Sequence, residues 1–242
     1  MGNRTGMLTG ATGYVGGLVL ERLLDEGWSM RVLVRDASKL EASVRQRVEV
    51  VEGDAESDED LARAMAGAKV AWFLMHSMGG DGDFAKTERS IAEAFAKAAA
   101  GSGVERIVYL GGLHPGEEDL SEHLASRVAV GEVLMGSGVP TAAIHAGVVM
   151  GAGSASFDML RTLTERLPVA GGPAWLRNQI QPIDAADVVH YLVAAADLPA
   201  EVNRTFDVGG PDRLSYAEMM QRYARVRGLG PRPVATAPVM TP

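Results

Sequence analysis

Over the first two-thirds of the chain, short apolar runs alternate with longer stretches in which apolar residues return every three or four positions. The runs are Gly6–Thr9, Met30–Val34, Val48–Val51, Val70–Leu74, Arg106–Leu110 and Thr141–Ala146. They are almost continuously apolar, which predicts strands covered on both faces. The stretches between them predict helices. Val15, Leu18, Val19 and Leu23 form one apolar stripe. Phe84, Ile91, Phe95 and Ala98, at spacings of 7, 4 and 3, form a second within a helix expected over Asp83–Ala100. Leu120, Leu124 and Val128, at spacings of 4, form a third within Asp119–Met135. Strand–helix alternation of this kind predicts βαβ units and a doubly wound parallel sheet, with six strands in the order 3-2-1-4-5-6.

The rhythm changes after Gly151. A helix is expected over Ser156–Arg166, a Pro/Gly-rich loop over Leu167–Pro173, and a short extended segment over Gln179–Ile183. Another helix should begin at Asp184, which can cap it, with Asp187 on the favourable side of its dipole. Thr205–Val208 reads as a late strand. Ser215 and Glu218 form a capping-box pattern ahead of Tyr216, Met219, Met220, Tyr223 and Val226. The Pro-rich stretch Pro231–Pro242 reads as extended or mobile. The expected organisation is one structural domain: a core over 1–150 and a smaller C-terminal, substrate-binding portion over 151–242 packed on it.

Composition narrows the chemistry. The chain has 242 residues, 23 Lys and Arg against 31 Asp and Glu, and a formal net charge of -8. Nucleic-acid binding rests on clustered cations that displace phosphate counterions, so no nucleic-acid partner is expected. No cysteine is present, which removes disulfides, thiolate catalysis and cysteine-type zinc sites. The five histidines show no metal-ligand spacing, so no metal is expected. No stretch approaches the roughly 20 apolar residues of a membrane span, and no signal peptide precedes the first strand. The expectation is a soluble, cytoplasmic protein, monomeric or homodimeric, without a membrane partner.

The most informative segment is Gly10-Ala11-Thr12-Gly13-Tyr14-Val15-Gly16, which runs from the first strand through a tight turn into the first helix. Gly10 permits the sharp turn, Gly13 lets backbone approach a diphosphate, and Gly16 lets the helix pack close. The helix N-terminus offers N–H donors and a positive dipole end to that anion. The expected fold is therefore a Rossmann-type α/β sheet that binds an adenine dinucleotide. The second strand ends in Val34-Arg35-Asp36-Ala37-Ser38-Lys39. An acid facing the ribose selects NAD, whereas Arg35 and Lys39 suit a 2′-phosphate. NADP(H) is the expected cofactor, by about tenfold if one charge-assisted hydrogen bond of roughly 1.5–3 kcal/mol is gained. Alternatively the two cations are solvated surface charges, Asp36 selects, and NAD(H) binds. Asp54 follows the third strand, where it can accept from the adenine amino group with the Ala55 backbone assisting, or simply cap a helix. Phe73, Leu74 and Met75 end the fourth strand and either wall the adenosine and ribose or belong to the core.

These residues carry a resemblance. TGATGYVGG, VRDASKL, GDAESDEDL and FLMHSMGG, followed by RIVYLGGL, HLASRVAVGEVL, GVPTAAIHAGVVMG and QPIDAADVVHYL, look like the atypical short-chain dehydrogenase/reductases of the NmrA-like, NAD(P)H-binding kind, in family order through nearly the whole chain. Active members of that family carry a Tyr-x-x-x-Lys pair on the helix after the fifth strand and a Ser at that strand's end. Here His123 stands in the Tyr slot, Arg127 in the Lys slot, and Gly111-Gly112 at the Ser position. The usual triad is absent. His123 is a candidate acid, its ordinary pKa being about 6.5. Arg127 can hold the ribose but is a poor proton donor. Alternatively His123 is an exposed polar residue on a helix.

Two further segments follow strands at the carboxyl edge. His76-Ser77-Met78-Gly79-Gly80 follows the fourth strand; His76 or Ser77 can contact ribose, diphosphate or substrate, or be an ordinary loop. Ala146-Gly147-Val148-Val149-Met150-Gly151 follows the sixth, and in relatives that loop lies against the nicotinamide carboxamide. Phe157, Met159, Leu160 and Trp175 either line an apolar substrate pocket or form a small second core. The functional expectation is an NADPH-dependent oxidoreductase on a small apolar carbonyl or quinone-like compound. The alternative is a non-catalytic NADP(H)-sensing regulator that signals to a protein partner, and a cofactor-assisted isomerase or lyase ranks below both.

Overall fold

The computed structural model describes residues 4–75, 84–114, 116, 120–167 and 170–237, with backbone alone for 170–175 and 234–237. His76, Ser77, Met78, Gly79 and Gly80 lie outside the described residues, as do Asp83, Asp119, residues 238–242 and the side chain of Trp175.

The strands β1 (Thr5–Thr9), β2 (Ser29–Val34), β3 (Glu49–Glu52), β4 (Val70–Phe73), β5 (Arg106–Gly112) and β6 (Thr141–Ala146) alternate with helices. The helices are α1 (Tyr14–Asp25), α2 (Ala42–Arg45), α3 (Asp58–Met65), α4 (Phe84–Ser102) and α5 (Glu122–Met135). Next come β7 (Val149–Met150), α6 (Ala155–Arg166), β8 (Ala170–Pro173), β9 (Gln179–Ile180), β10 (Ile183–Asp184) and α7 (Ala185–Ala194). The last elements are β11 (Arg204–Val208), β12 (Leu214–Ser215), α8 (Tyr216–Val226) and β13 (Val234–Ala237). The central sheet has seven strands in the order β11-β6-β5-β4-β1-β2-β3. The pairs β1–β2, β1–β4, β2–β3 and β4–β5 are parallel. The expected order 3-2-1-4-5-6 is present, extended at one edge by β11.

By internal contacts the chain forms two compact units: the described residues through His145 with Val189–Asp207, and Ala146–Val188 with the residues from Val208 onward. In the first unit Met7, Ala71, Phe73, Ile107, Tyr109 and Ala143 pack on Ile91, Phe95, Val130 and Leu134 of α4 and α5. Phe73 meets Phe95 edge-on at 4.9 Å. Trp72 is fully buried and donates its indole N–H to Leu192 O at 2.9 Å, the partner that a buried indole requires. In the second unit Leu160, Leu214, Met219 and Met220 form a smaller core. Phe157 meets Tyr223 at 6.0 Å there, while Met159 is exposed.

Several local expectations change. Leu18 is exposed; α1 buries Gly16, Val19, Leu20 and Leu23 instead. Helix α5 buries Ser126, Val130, Gly131 and Leu134, not the stripe Leu120, Leu124 and Val128. Packing against α4 decides that face: buried Ser126 Oγ donates to buried Glu88 Oε2 at 2.5 Å. Part of the loop expected over Leu167–Pro173 is the strand β8, because β13 pairs with it in parallel. A pairing across some sixty residues leaves no local signature. Asp184 does cap α7, accepting from Ala186 N at 2.7 Å. Ser215 and Glu218 form the expected capping box. Among the described residues no helix is long and apolar enough to cross a membrane.

Candidate functional site

The glycine turn closes on itself. Gly10 has a φ of 81°, a left-handed conformation that costs glycine little. A Cβ there would lie 2.5 Å from Leu74 O at the end of β4. Gly13 N donates to Gly10 O at 2.9 Å, and Gly17 N to Gly13 O at 2.8 Å. A Cβ on Gly16 would lie 2.0 Å from Gly10 O, so Gly16 serves the approach of helix to turn. Gly13 differs: its backbone is extended, and an added Cβ would meet only Gly10 O, at 3.3 Å. The protein's own packing asks little of that position, so its bareness matters chiefly to something outside the chain. No side chain caps α1 and no acid stands in its first turn, which leaves the positive end of the helix dipole uncompensated by a carboxylate. Ala11 is buried beneath the turn, while Thr12 is exposed.

Beyond β2, Arg35 and Lys39 are both exposed. Neither has a hydrogen bond or ion pair among the described residues. Asp36 is engaged with its own turn: it accepts from Ser38 N at 2.9 Å and Ser38 Oγ at 2.6 Å. The hydrogen bonds from Ser38, helped by Lys39, hold its carboxyl below the usual range. Beyond β3, Asp54 is exposed; it accepts from Glu56 N at 3.0 Å, and its own N–H donates to Asp60 Oδ2 at 3.0 Å. Ala55 is buried beside it. A Cβ on the preceding Gly53 would lie 2.5 Å from Asp60 Cγ. Beyond β4, Leu74 is buried and Met75 half-buried against the core.

At the end of β5, Gly111 and Gly112 leave space that neighbours fill. A Cβ on Gly111 would meet His145 Cδ2 at 2.7 Å and Tyr109 Cε1 at 3.2 Å. One on Gly112 would meet Leu124 Cδ2 at 3.0 Å and Arg127 Nη1 at 3.5 Å. Arg127 therefore reaches back from α5 to the carboxyl end of β5. Its main-chain carbonyl accepts from Tyr109 OH at 3.0 Å. Its Nε is buried with no hydrogen-bond partner, and among the described residues its guanidinium makes no hydrogen bond or ion pair. A buried, unsatisfied N–H costs roughly 1–3 kcal/mol, so an outside acceptor would relieve a standing penalty. Trp28 Nε1 and Arg31 Nε are also unsatisfied, but Arg31 bonds three carbonyls and Glu49 through its other nitrogens. His123 is exposed, stacks on Phe84 at 5.5 Å, and has its pKa lowered by burial and by Arg127.

In the second unit, Gly147 N donates to Val208 O at 3.0 Å, and a Cβ on Gly147 would lie 1.8 Å from Gln181 O. The smallness of that residue is thus required by packing. Ala146 closes β6 and is buried; Val148 is half-buried and its carbonyl accepts from Ile183 N at 3.0 Å.

The structure adds residues that sequence reasoning passed over. Buried His145, at the end of β6, has Nδ1 3.5 Å from Asp207 Oδ1 and its ring 5.2 Å from that of His114. The available signal was a titratable residue in the otherwise largely apolar run Thr141–Ala146, in alternation with Ala143. Glu88, which grips Ser126, had no signal beyond its place on the apolar side of α4.

The parallel sheet brings the turn after β1 and the ends of β2, β4 and β5 to one edge, where such sheets bind ligands. The donor set fits an adenine dinucleotide: an uncapped helix start, a bare glycine, two unpaired cations and an orphaned arginine nitrogen. Among the described residues no group of three or more His, Asp or Glu could hold a metal ion.

Comparison with known proteins agrees. A family model described as NAD(P)H-binding matches residues 10–144, more than half of the chain. A (4-alkanoyl-5-oxo-2,5-dihydrofuran-3-yl)methyl phosphate reductase of Streptomyces griseus is 29% identical over 230 residues, covering 92% of this chain and 73% of the relative. A ceramide reductase of Caulobacter vibrioides is 30% identical, covering 93% of this chain and 71% of the relative. Among solved structures, the Bordetella bronchiseptica enzyme WbmG in complex with NAD superposes with a TM-score of 0.80 at 18% identity, over 98% of this chain and 82% of that one. The chain belongs to the family described as NAD(P)H-binding, on a Rossmann-type fold.

Proposed function

We propose that the protein is an NADPH-dependent reductase of a small, mainly apolar carbonyl, enone or quinone-like compound. The observation that carries the cofactor preference is the division of labour after β2. Asp36 spends its carboxylate on Ser38, while Arg35 and Lys39 stand exposed and unpaired. A 2′-phosphate would give both cations a partner, whereas a ribose 2′-hydroxyl would have to compete with Ser38 for the acid. Gly10, Ala11, Thr12, Gly13, Tyr14, Val15 and Gly16 would hold the diphosphate. Asp54 and Ala55 would meet the adenine, and Phe73, Leu74 and Met75 would wall the adenosine and ribose. Gly111 and Arg127 would contact the nicotinamide ribose. When bound, the cofactor supplies the hydride; the protein supplies orientation and excludes water.

Reduction is favoured over other chemistry by two relatives named as reductases, one of a furanone phosphate ester and one of ceramide. One observation favours a second reading, a cofactor-sensing regulator: the Tyr and Lys slots hold His123 and Arg127, and His123 stacks on Phe84. The two readings part in one assay. NADPH absorbance is followed with a panel of quinones, aldehydes and enones. Turnover that falls at least about tenfold in Arg127→Ala supports the reductase. Tight NADPH binding with no turnover of any compound supports the sensor.

A further inference from the structure

Beyond the cofactor site, three groups gather at the carboxyl ends of β5, β6 and β11. Ile107 N donates to Pro140 O at 2.9 Å and Thr141 N to Asn203 Oδ1 at 3.0 Å. The starts of β5, β6 and β11 therefore lie side by side. Their far ends also meet: Gly111 faces His145, and His145 faces Asp207. The His145 imidazole fills the space that a side chain at 111 would occupy, its Nε2 3.3 Å from the missing Cβ. In a reductase of this family that position ordinarily carries the polar serine, so here the polar group is contributed by the next strand.

His114 lies two residues past β5. Its Nδ1 is 3.0 Å from Gly116 O. A carbonyl only accepts, so Nδ1 carries the hydrogen and Nε2 is left for other work. The His114 ring is half-exposed and 5.2 Å from buried His145. Two imidazoles this close disfavour double protonation. Burial and His114 both push the His145 pKa down, against the opposing pull of Asp207. Of the two rings, His114 is the less buried. The titratable neighbours of His145 are His114, Asp207 from β11 and Tyr109 from β5, whose hydroxyl is already committed to Arg127 O.

We propose that His114 is the proton donor to substrate in the reduction, with His145 and Asp207 as the positioning residues behind it. The proposal rests on the reductase reading. When bound, the reduced nicotinamide would supply a hydride to the substrate carbon, and the carbonyl π pair would move to oxygen. That oxygen would form its O–H bond with the Nε2 proton of the His114 imidazolium as that N–H bond breaks, leaving the neutral ring with its Nδ1–H on Gly116 O, and Nε2 would regain a proton from solvent. This arrangement assigns to His114 the step for which the family uses tyrosine, and leaves His123 as packing against Phe84.

The test uses whichever compound of the quinone, aldehyde and enone panel the wild type reduces. His114→Gln and His114→Asn should each lower turnover by about 100-fold or more, the usual scale of general-acid catalysis. The NADPH dissociation constant should stay within about twofold. Asparagine can still donate to Gly116 O, so a loss in both variants is not a loop defect, and free imidazole should restore part of the rate. His145→Gln should shift the midpoint of the pH–rate profile with a smaller loss of rate. Wild-type turnover that persists in both His114 variants overturns this proposal alone. NADPH binding with no wild-type turnover of any compound overturns the proposal and the reductase reading together.

Discussion

A Cβ on Gly16 would stand 2.0 Å from the main-chain oxygen of Gly10, while one on Gly13 would find that same oxygen at 3.3 Å. Two glycines of one turn therefore do different jobs, one holding the helix against the turn and the other keeping the outer surface bare. Gly16→Ala is predicted to destabilise the protein by about 1–3 kcal/mol, the usual cost of overpacking, and to weaken nucleotide binding with it. Gly13→Ala should melt within a few degrees of wild type yet lose at least about tenfold in NADPH affinity. Thermal melts and calorimetry on the two variants separate the roles.

Arg35 and Lys39 make no hydrogen bond or ion pair among the described residues, and Asp36 is engaged with Ser38. Arg35→Ala should weaken NADPH binding by about tenfold or more, the worth of one charge-assisted hydrogen bond. NADH binding should change by less than about twofold. Titration of both nucleotides against both proteins reads the difference.

The pKa values of His145 and His123 are both lowered in the folded protein, chiefly by burial. The unfolded chain therefore binds more protons than the folded one just below about pH 6.5, the ordinary histidine value. Stability should fall as pH drops through that value towards the folded pKa values, and flatten below them. His145→Gln should flatten that slope. Urea midpoints measured from pH 7.5 to 5 check the sign; a wild type that gains stability on acidification across that window would refute it.

Arg106 is buried, and its guanidinium donates to the carbonyls of Leu198, Pro199 and Val202, tying β5 to the segment before β11. Arg106→Ala would leave three carbonyls without their donor. It should cost about 3 kcal/mol or more and lower the melting temperature with little effect on the nucleotide affinity of the folded fraction.

Much of the fold was legible because it is local. β6 spans Thr141–Ala146 as its apolar run predicts, and the caps at Asp184 and Ser215 announce themselves within three residues. The pairing of β8 with β13 was not legible, since neither segment carries a strand signature and each is a strand only because the other lies beside it. Leu18 was misjudged because its neighbour Leu20 takes the inward direction on α1. Helix α5 turns a serine inward because Glu88 waits there. The cofactor turn could be read because its chemistry needs glycines at fixed offsets. The imidazole beside Gly111 could not, because it arrives from a different strand more than thirty residues later.

The central claim is that this sheet edge takes a dinucleotide bearing a 2′-phosphate. Isothermal calorimetry of the wild-type protein with NADPH and NADH, run side by side at one ionic strength, tests it most directly. The account predicts saturable binding of NADPH at least about tenfold tighter than that of NADH. Equal affinities, or no binding of either at millimolar concentration, would contradict it.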